Sequence, residues 1–443
     1  MPALPTARSV AAAAIARVLG ESAFAAAALE SELQRAVQLD VRDRALATEL
    51  TLGSLRVFAW LEAQLNSVSK KPVRDLPPDV RAHLALAVYQ VFFTRVPAFA
   101  AVNDAVGAVR TRMGEKMSAF ANAVLRKLAT RAETFTDEER DKARVDALPK
   151  WLKSALIDSV GDEAARALVG GGLAPVTGIR VLDRSRREEW LSKLSAARPS
   201  ATFELGKVSP LAITARSAGK LEGLPGFEEG AWSIQEEGSQ VVALALGARP
   251  GERVLDACAG RGNKTAILAY AVLPDGAVDA CDVHPKKLSR LETELARVGL
   301  SARHSYAVDW SIGPGDVTEL YDRVLVDAPC SGSGTLRRRP EIALRRAEED
   351  LGAFASLQLG ITLRASERLK PGGVLVYAVC SVLRQEAEAV ANELLIHQPS
   401  LEPLPIDEPD LAALAPSGPG QLRLLPHIHG TDGYFIARFR ARV

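Results

Sequence analysis

The chain has 443 residues, 47% hydrophobic and 25% charged, a mix that buries a sizeable core and excludes wholesale disorder. At roughly 100–200 residues per domain, that length implies two to four domains. The net charge of +1 excludes a polycation, no window approaches the ~18 apolar residues of a membrane span, and no signal-peptide pattern opens the chain, which predicts a cytoplasmic protein.

Residues 1–135 carry 17 Lys and Arg against 12 Asp and Glu, a modest basic bias compatible with nucleic-acid contact. Apolar residues recur there at three- and four-residue steps, as in 44–56, 80–93 and 120–128, which predicts helices throughout. Pro72, Pro77, Pro78 and Pro97 punctuate them. With no glycine-rich loop, cysteine or histidine cluster, this is an all-α bundle suited to binding. Residues 136–235 combine a charged stretch, a helical start over 151–168 and short extended pieces such as 178–182. They read as a linker and a small α+β insert.

Over 236–443 the texture changes to short apolar runs alternating with helical stretches. The runs are 253–256, 277–282, 323–327 and 373–380. Such alternation predicts βαβ units, a parallel sheet and a Rossmann-like α/β domain. Ligands bind beyond the carboxyl ends of such strands, and these runs lead to Asp256, Asp282, Asp327 with Cys330, and Cys380.

After the first run comes Asp256-Ala-Cys258-Ala259-Gly260-Arg261-Gly262-Asn263-Lys264-Thr265. Asn263 stands where a P-loop needs glycine before its Lys-Thr pair, and Thr265 stands at the third glycine of the dinucleotide pattern. What remains is an acidic residue before two glycines that admit a ligand close to the backbone. That suits S-adenosylmethionine, whose sulfonium and amino groups favour a nearby carboxylate. Asp282 is placed for ribose hydroxyls, and Asp309 either for the adenine or as a helix N-cap.

The four cysteines, Cys258, Cys281, Cys330 and Cys380, form no C-x-x-C pair and no zinc spacing, so no metal is expected. Cys258 and Cys281 read as core thiols, and His427 and His429 as surface residues. Cys330 lies in a polar loop, Asp327-Ala-Pro-Cys-Ser-Gly-Ser-Gly334, with Arg337, Arg338 and Arg339 beyond it as a solvated run or a phosphate contact. Cys380 ends a strand, with Ser381 placed as a helix cap. Two thiols over a methyl-donor pocket suit a pyrimidine, because C5 becomes nucleophilic only after a thiolate adds at C6. A base inside a duplex is out of reach, so the target is single-stranded or flipped out.

The segments 327–334, 380–381 and 258–264 resemble the signatures of RNA cytosine-5 methyltransferases of the NOP2/Sun family. Residues 95–103 and 122–126 resemble the NusB-type RNA-binding domain, and 430–436 is similar to the family's closing strand. The resemblance implies Cys380 as nucleophile, Cys330 as the residue assisting release, and residues 258–264 with Asp282, Asp309 and Asp327 lining the S-adenosylmethionine site. It implies RNA as partner, ribosomal RNA before transfer RNA, for a monomer acting away from membranes. Arg261 and Asn263 depart from the family's loop, which has proline and glycine there, and Val379 replaces a threonine. The residues themselves leave two further readings open: a non-catalytic RNA-binding assembly factor, and a DNA cytosine-5 methyltransferase that uses the Pro-Cys thiol.

Overall fold

The computed structural model describes residues 4–169, 175–414 and 416–443, and the chain forms two compact units. The first runs to Ile157, resumes from Ala165, and takes in Leu336–Arg346 from far downstream. Its helices are α1 (Ala7–Gly20), α2 (Ala25–Arg35), α3 (Val41–Arg56), α4 (Phe58–Val68), α5 (Pro78–Phe93), α6 (Ala98–Ala132) and α7 (Asp137–Asp146), after which come α8 (Lys150–Val160) and α9 (Asp162–Leu168). Reciprocal capping boxes, Thr6 with Ser9 and Thr136 with Glu139, satisfy the free N–H groups that open α1 and α7. Pro78 sits in the first turn of α5, where its missing N–H costs nothing. That helix is apolar nearly all round and packs against α1, α3, α4 and α6 as the bundle's central element. At Gly114, with φ 78°, α6 bends. Among the described residues no helix is long and apolar enough to cross a membrane.

The second unit opens with a four-stranded antiparallel sheet, order β2-β3-β1-β4, of β1 (Thr177–Arg180), β2 (Thr202–Leu205), β3 (Ala212–Arg216) and β4 (Ser233–Ile234). Helix α10 (Arg187–Ala197) covers it, with Trp190, Leu194, Phe203, Ile213 and Trp232 between the layers. After α11 (Glu237–Leu244) the large sheet begins: β5 (Arg253–Asp256), α12 (Asn263–Ala271), β6 (Ala277–Asp282), α13 (Pro285–Arg297), β7 (His304–Ala307) and β8 (Tyr321–Asp327).

The chain next supplies Leu336–Arg346, with α14 (Ile342–Arg345), to the helical unit. There the Arg56 guanidinium donates to the Arg337 carbonyl at 3.1 and 3.0 Å, and Arg339 and Arg345 lie over the Phe24 ring. Arg337 is therefore no part of a solvated run. It is 1% exposed.

The large sheet resumes with α15 (Asp350–Ser366), β9 (Leu369–Val379), α16 (Glu388–His397), β10 (Leu401–Pro403), β11 (Gln421–Leu424), α17 (Pro426–His429) and β12 (Tyr434–Ala441). Its order is β10-β12-β9-β8-β5-β6-β7, with β11 paired to β12. Strands β5 to β9 are parallel, and β10 to β12 form an antiparallel edge. Alternate residues face opposite layers. Leu255, Val324, Val326 and Tyr377 meet Ile361, Ala365 and Leu394 on one side, while Val254, Leu325 and Val376 meet Val241, Ile267 and Leu268 on the other. Burial on both faces is why these strands read as unbroken apolar runs. The order reverses at β5, which has β6 on one side and β8 on the other, and at such a point a crevice opens beyond the strand ends.

Candidate active site

Strand β5 ends at Asp256, and the chain turns from it into α12. Gly260 and Gly262 have φ of 60° and 86°, in the left-handed region that favours glycine. A Cβ on Gly262 would lie 2.8 Å from Leu291 Cγ, so that glycine lets α13 pack against the loop. A Cβ on Gly260 would meet no atom within 4 Å; the space above it is open. The Gly260 N–H points to Asp282, donating to Oδ2 at 3.1 Å. Asp282 also accepts from His284 N at 2.8 Å and from Lys287 Nζ at 3.2 Å.

Asp256 is fully buried. Its Oδ2 accepts from Thr265 Oγ1 at 2.7 Å, while Oδ1 has no partner among the described residues. Burial pushes its carboxyl up to about 7, against the Thr265 hydrogen bond and the Lys264 charge, which act the other way. Lys264 Nζ reaches Asp327 Oδ2 at 2.6 Å, joining the glycine loop to the end of β8. Burial works to lower the Lys264 ammonium, but the charge and hydrogen bond of Asp327 outweigh it and hold the pKa above the ordinary lysine value.

Strands β8 and β9 pair in parallel with Asp327 opposite Ala378, which brings Cys330 and Cys380 to a sulfur–sulfur distance of 3.3 Å. The hydrogen bond to Cys380, then burial, then the charges of Cys380, Glu386 and Asp327 hold the Cys330 thiol well above the usual cysteine range. Burial does the same to Cys258 and to Cys281, with help from neighbouring aspartates.

Beneath the thiols lies a buried polar cluster. Glu386 Oε1 accepts from Ser331 N at 2.8 Å and Gln358 Nε2 at 3.0 Å; its Oε2 accepts from Ser331 Oγ at 2.5 Å and Ser381 Oγ at 2.6 Å. Tyr377 OH donates to the Glu386 carbonyl at 2.6 Å. Ser333 Oγ accepts from Val382 N at 3.1 Å and lies 2.9 Å from Ser381 Oγ. The turn before β12 closes over this loop, with Gly433 N donating to Gly334 O at 2.8 Å and Asp432 N donating to Glu236 Oε1 at 3.0 Å.

The structure thus brings together residues 258–264, Asp282, Asp327, Cys330 and Cys380 at the carboxyl ends of four neighbouring strands. Asp309 stands apart, past the end of edge strand β7. It closes a turn rather than capping a helix, accepting from Ser311 N and Oγ at 2.9 and 2.5 Å, and those bonds hold its carboxyl below the usual range. Ser381 is not a helix cap either: α16 begins at Glu388 behind Ala387, and the Ser381 hydroxyl serves the buried cluster. His429 is half-buried, its Nδ1 accepting from Leu425 N at 2.9 Å. Arg261 is exposed between the two glycines, while the Asn263 carbonyl accepts from the buried Arg180 at 2.6 Å. Sequence reading missed Glu386 and Gln358 altogether. A lone glutamate in a turn carries no local pattern, and its partners are brought in from other strands and helices.

Residues 243–440 match the family model described as 16S rRNA methyltransferase RsmB/F, and residues 5–130 match the NusB family. The ribosomal RNA small subunit methyltransferase B of Pseudomonas syringae pv. tomato is 33% identical over 97% of this chain and 96% of its own length. The crystal structure of PH0851 shares the fold, with a TM-score of 0.83 and 24% identity over 99% of both chains. That of NSun6 from Pyrococcus horikoshii with SFG has a TM-score of 0.57 and 20% identity over 66% of this chain and 98% of its own.

Proposed function

Since the chain belongs to the RsmB/F family of 16S rRNA methyltransferases, which depend on S-adenosylmethionine, we propose that it methylates cytosine C5 in small-subunit ribosomal RNA through a covalent cysteine adduct. The observation that carries this reading is the 3.3 Å approach of Cys330 and Cys380 at the ends of adjacent strands, beside the glycine loop.

The residues present fit the cofactor. Gly260 leaves open the space a side chain would fill, the buried Asp256 Oδ1 lacks a partner among the described residues, and the carboxylates of Asp256, Asp282 and Asp327 lie at or beside the loop. When bound, S-adenosylmethionine supplies the methyl group as an electrophile on a sulfonium centre. Residues 258–264 would hold it along the backbone, Asp282 would meet the ribose hydroxyls, Asp309 would serve the adenine, and Asp327 with Lys264 would complete the lining.

The two thiols divide the work. The Cys330 proton is strongly held, which leaves Cys380 as the nucleophile. Its sulfur bonds to C6 of the cytosine, and the electron pair released makes C5 nucleophilic. Once Cys380 is bonded to carbon it no longer carries charge or shares the Cys330 proton. The hydrogen bond and the charge that Cys380 presented to Cys330 are then gone while burial remains, so Cys330 can release its own proton to water and, as the thiolate, take the proton from C5 once C5 carries the methyl group. Loss of that proton re-forms the C5–C6 double bond and expels Cys380. In this reading residues 1–135 are an RNA-binding module, 136–235 a linker with a second small RNA contact, and 236–443 the catalytic domain.

The test is a denaturing gel of labelled RNA incubated with S-adenosylmethionine and wild type, Cys330→Ala or Cys380→Ala. A covalent protein–RNA band accumulates only in Cys330→Ala, where attack proceeds and release stalls. Trapping by Cys380→Ala instead reverses the roles. No band in any lane, with cofactor binding absent, leaves a non-catalytic assembly factor, and transfer RNA run in parallel decides the substrate.

A further inference from the structure

We propose that Glu386 is a positioning residue that holds the Cys330 and Cys380 thiols at reacting distance through Ser331 and Ser381. The proposal rests on the two-thiol reading above. Each thiol sits in a loop beyond a strand end, and the first loop contains Gly332, with φ 80°, and Gly334, so its backbone has little intrinsic restraint. The residue following each cysteine is a serine, and both hydroxyls donate to the same carboxylate oxygen, Glu386 Oε2. The other oxygen accepts the Ser331 backbone N–H. One side chain therefore grips the backbone and hydroxyl of the Cys330 loop together with the hydroxyl of the Cys380 loop.

Glu386 is itself fixed from two further elements. Gln358 of α15 donates to Oε1 and also to the Pro329 carbonyl at 2.9 Å, directly before Cys330, while Tyr377 of β9 bonds the Glu386 carbonyl. The carboxylate is 0% exposed and its side-chain partners are all uncharged. Burying a carboxylate without a cation is costly unless its oxygens are filled with donors, and here four donors converge on them. Such a group fits a place where geometry has to be exact rather than merely packed. Its charge also helps keep the Cys330 proton in place before attack.

The test uses the full chain as wild type, Glu386→Ala, Glu386→Gln and Ser381→Ala. Thiol geometry is read without catalysis: diamide oxidises Cys330 and Cys380 to a disulfide and is itself reduced to the hydrazine, and peptide mass spectrometry follows that one bridge. In Glu386→Ala the bridge closes at least tenfold more slowly. Its kcat for methyl transfer to ribosomal RNA falls by about 100-fold, the scale of a ~1 Å misplacement of reacting groups. KM for RNA and the dissociation constant for S-adenosylmethionine stay within twofold, which a general loss of structure would not spare. Glu386→Gln, which keeps shape and one acceptor, recovers at least tenfold of the lost kcat. Disulfide closure and kcat both at wild-type level in Glu386→Ala overturn the proposal, as does a loss confined to KM. Should Glu386→Ala not fold, Ser381→Ala decides: closure at least threefold slower supports the tether, and closure at the wild-type rate refutes it. If wild type methylates no RNA, the functional reading fails, while the closure rates still judge Glu386.

Discussion

Replacing Asp256 with asparagine removes a titration that burial has displaced. The folded carboxyl is pushed from the ordinary 3.8 up to about 7. A tenfold change in proton affinity is worth about 1.4 kcal/mol, so holding this carboxyl ionised in the fold costs about 4 kcal/mol more than in the unfolded chain. The direction of the effect follows from where the proton resides. Below about pH 4 both states are protonated and the folded form bears no penalty. As pH rises the unfolded chain ionises while the folded one does not, and stability is lost until pH passes about 7, after which the curve levels. Asparagine keeps an oxygen for the Thr265 hydroxyl but sets an amide N–H₂ at the unpartnered Oδ1 position, a pH-independent cost of about 1–3 kcal/mol. Urea unfolding of both proteins without cofactor, in steps from about pH 5 to about pH 8, isolates Asp256 because every other group titrates in both. The difference moves in the variant's favour by about 3 kcal/mol over that range. Parallel curves would refute the reasoning, since they would mean that Asp256 ionises in the fold as easily as in water.

Gly260→Ala costs about 1 kcal/mol in folding, the ordinary left-handed penalty, yet weakens S-adenosylmethionine binding at least tenfold by calorimetry because its methyl enters the open space. Gly262→Ala, which forces Leu291 aside, costs about 2 kcal/mol or more by urea unfolding. Lys264→Met leaves Asp327 without its ion partner and destabilises by about 2–3 kcal/mol, part of which Lys264→Met/Asp327→Asn restores; an unchanged midpoint in the single variant would count against the pair. Iodoacetamide at about pH 8 modifies Cys380 first, with Cys330, Cys258 and Cys281 at least tenfold slower, because reaction follows the thiolate. Peptide mass spectrometry reads the order, and Cys330 leading would reverse the assigned roles.

Much of the catalytic half is legible from one sequence because parallel strands buried on both faces leave unbroken apolar runs. That is why 253–256 and 277–282 coincide with β5 and β6, and why the residues after the runs point to the site. The helical front end is legible for a similar reason, its apolar residues repeating at helical spacing. Motif resemblance adds the chemistry that periodicity lacks. Local pattern could not supply partners set by strand order. Cys330 and Cys380 meet across fifty positions only because β8 pairs with β9, and Ser331 meets Glu386 across fifty-five. The same applies to Ser381, whose position suggests a helix cap until Glu386 claims its hydroxyl. It applies equally to Arg337, which reads as solvated or as a phosphate contact until its segment packs into the helical unit. Sequence by itself determined the elements and the candidate reactive groups, since both depend on residues close along the chain. Only tertiary structure decided which buried polar atoms meet, because a hydrogen bond depends on distance in space and is indifferent to separation in sequence.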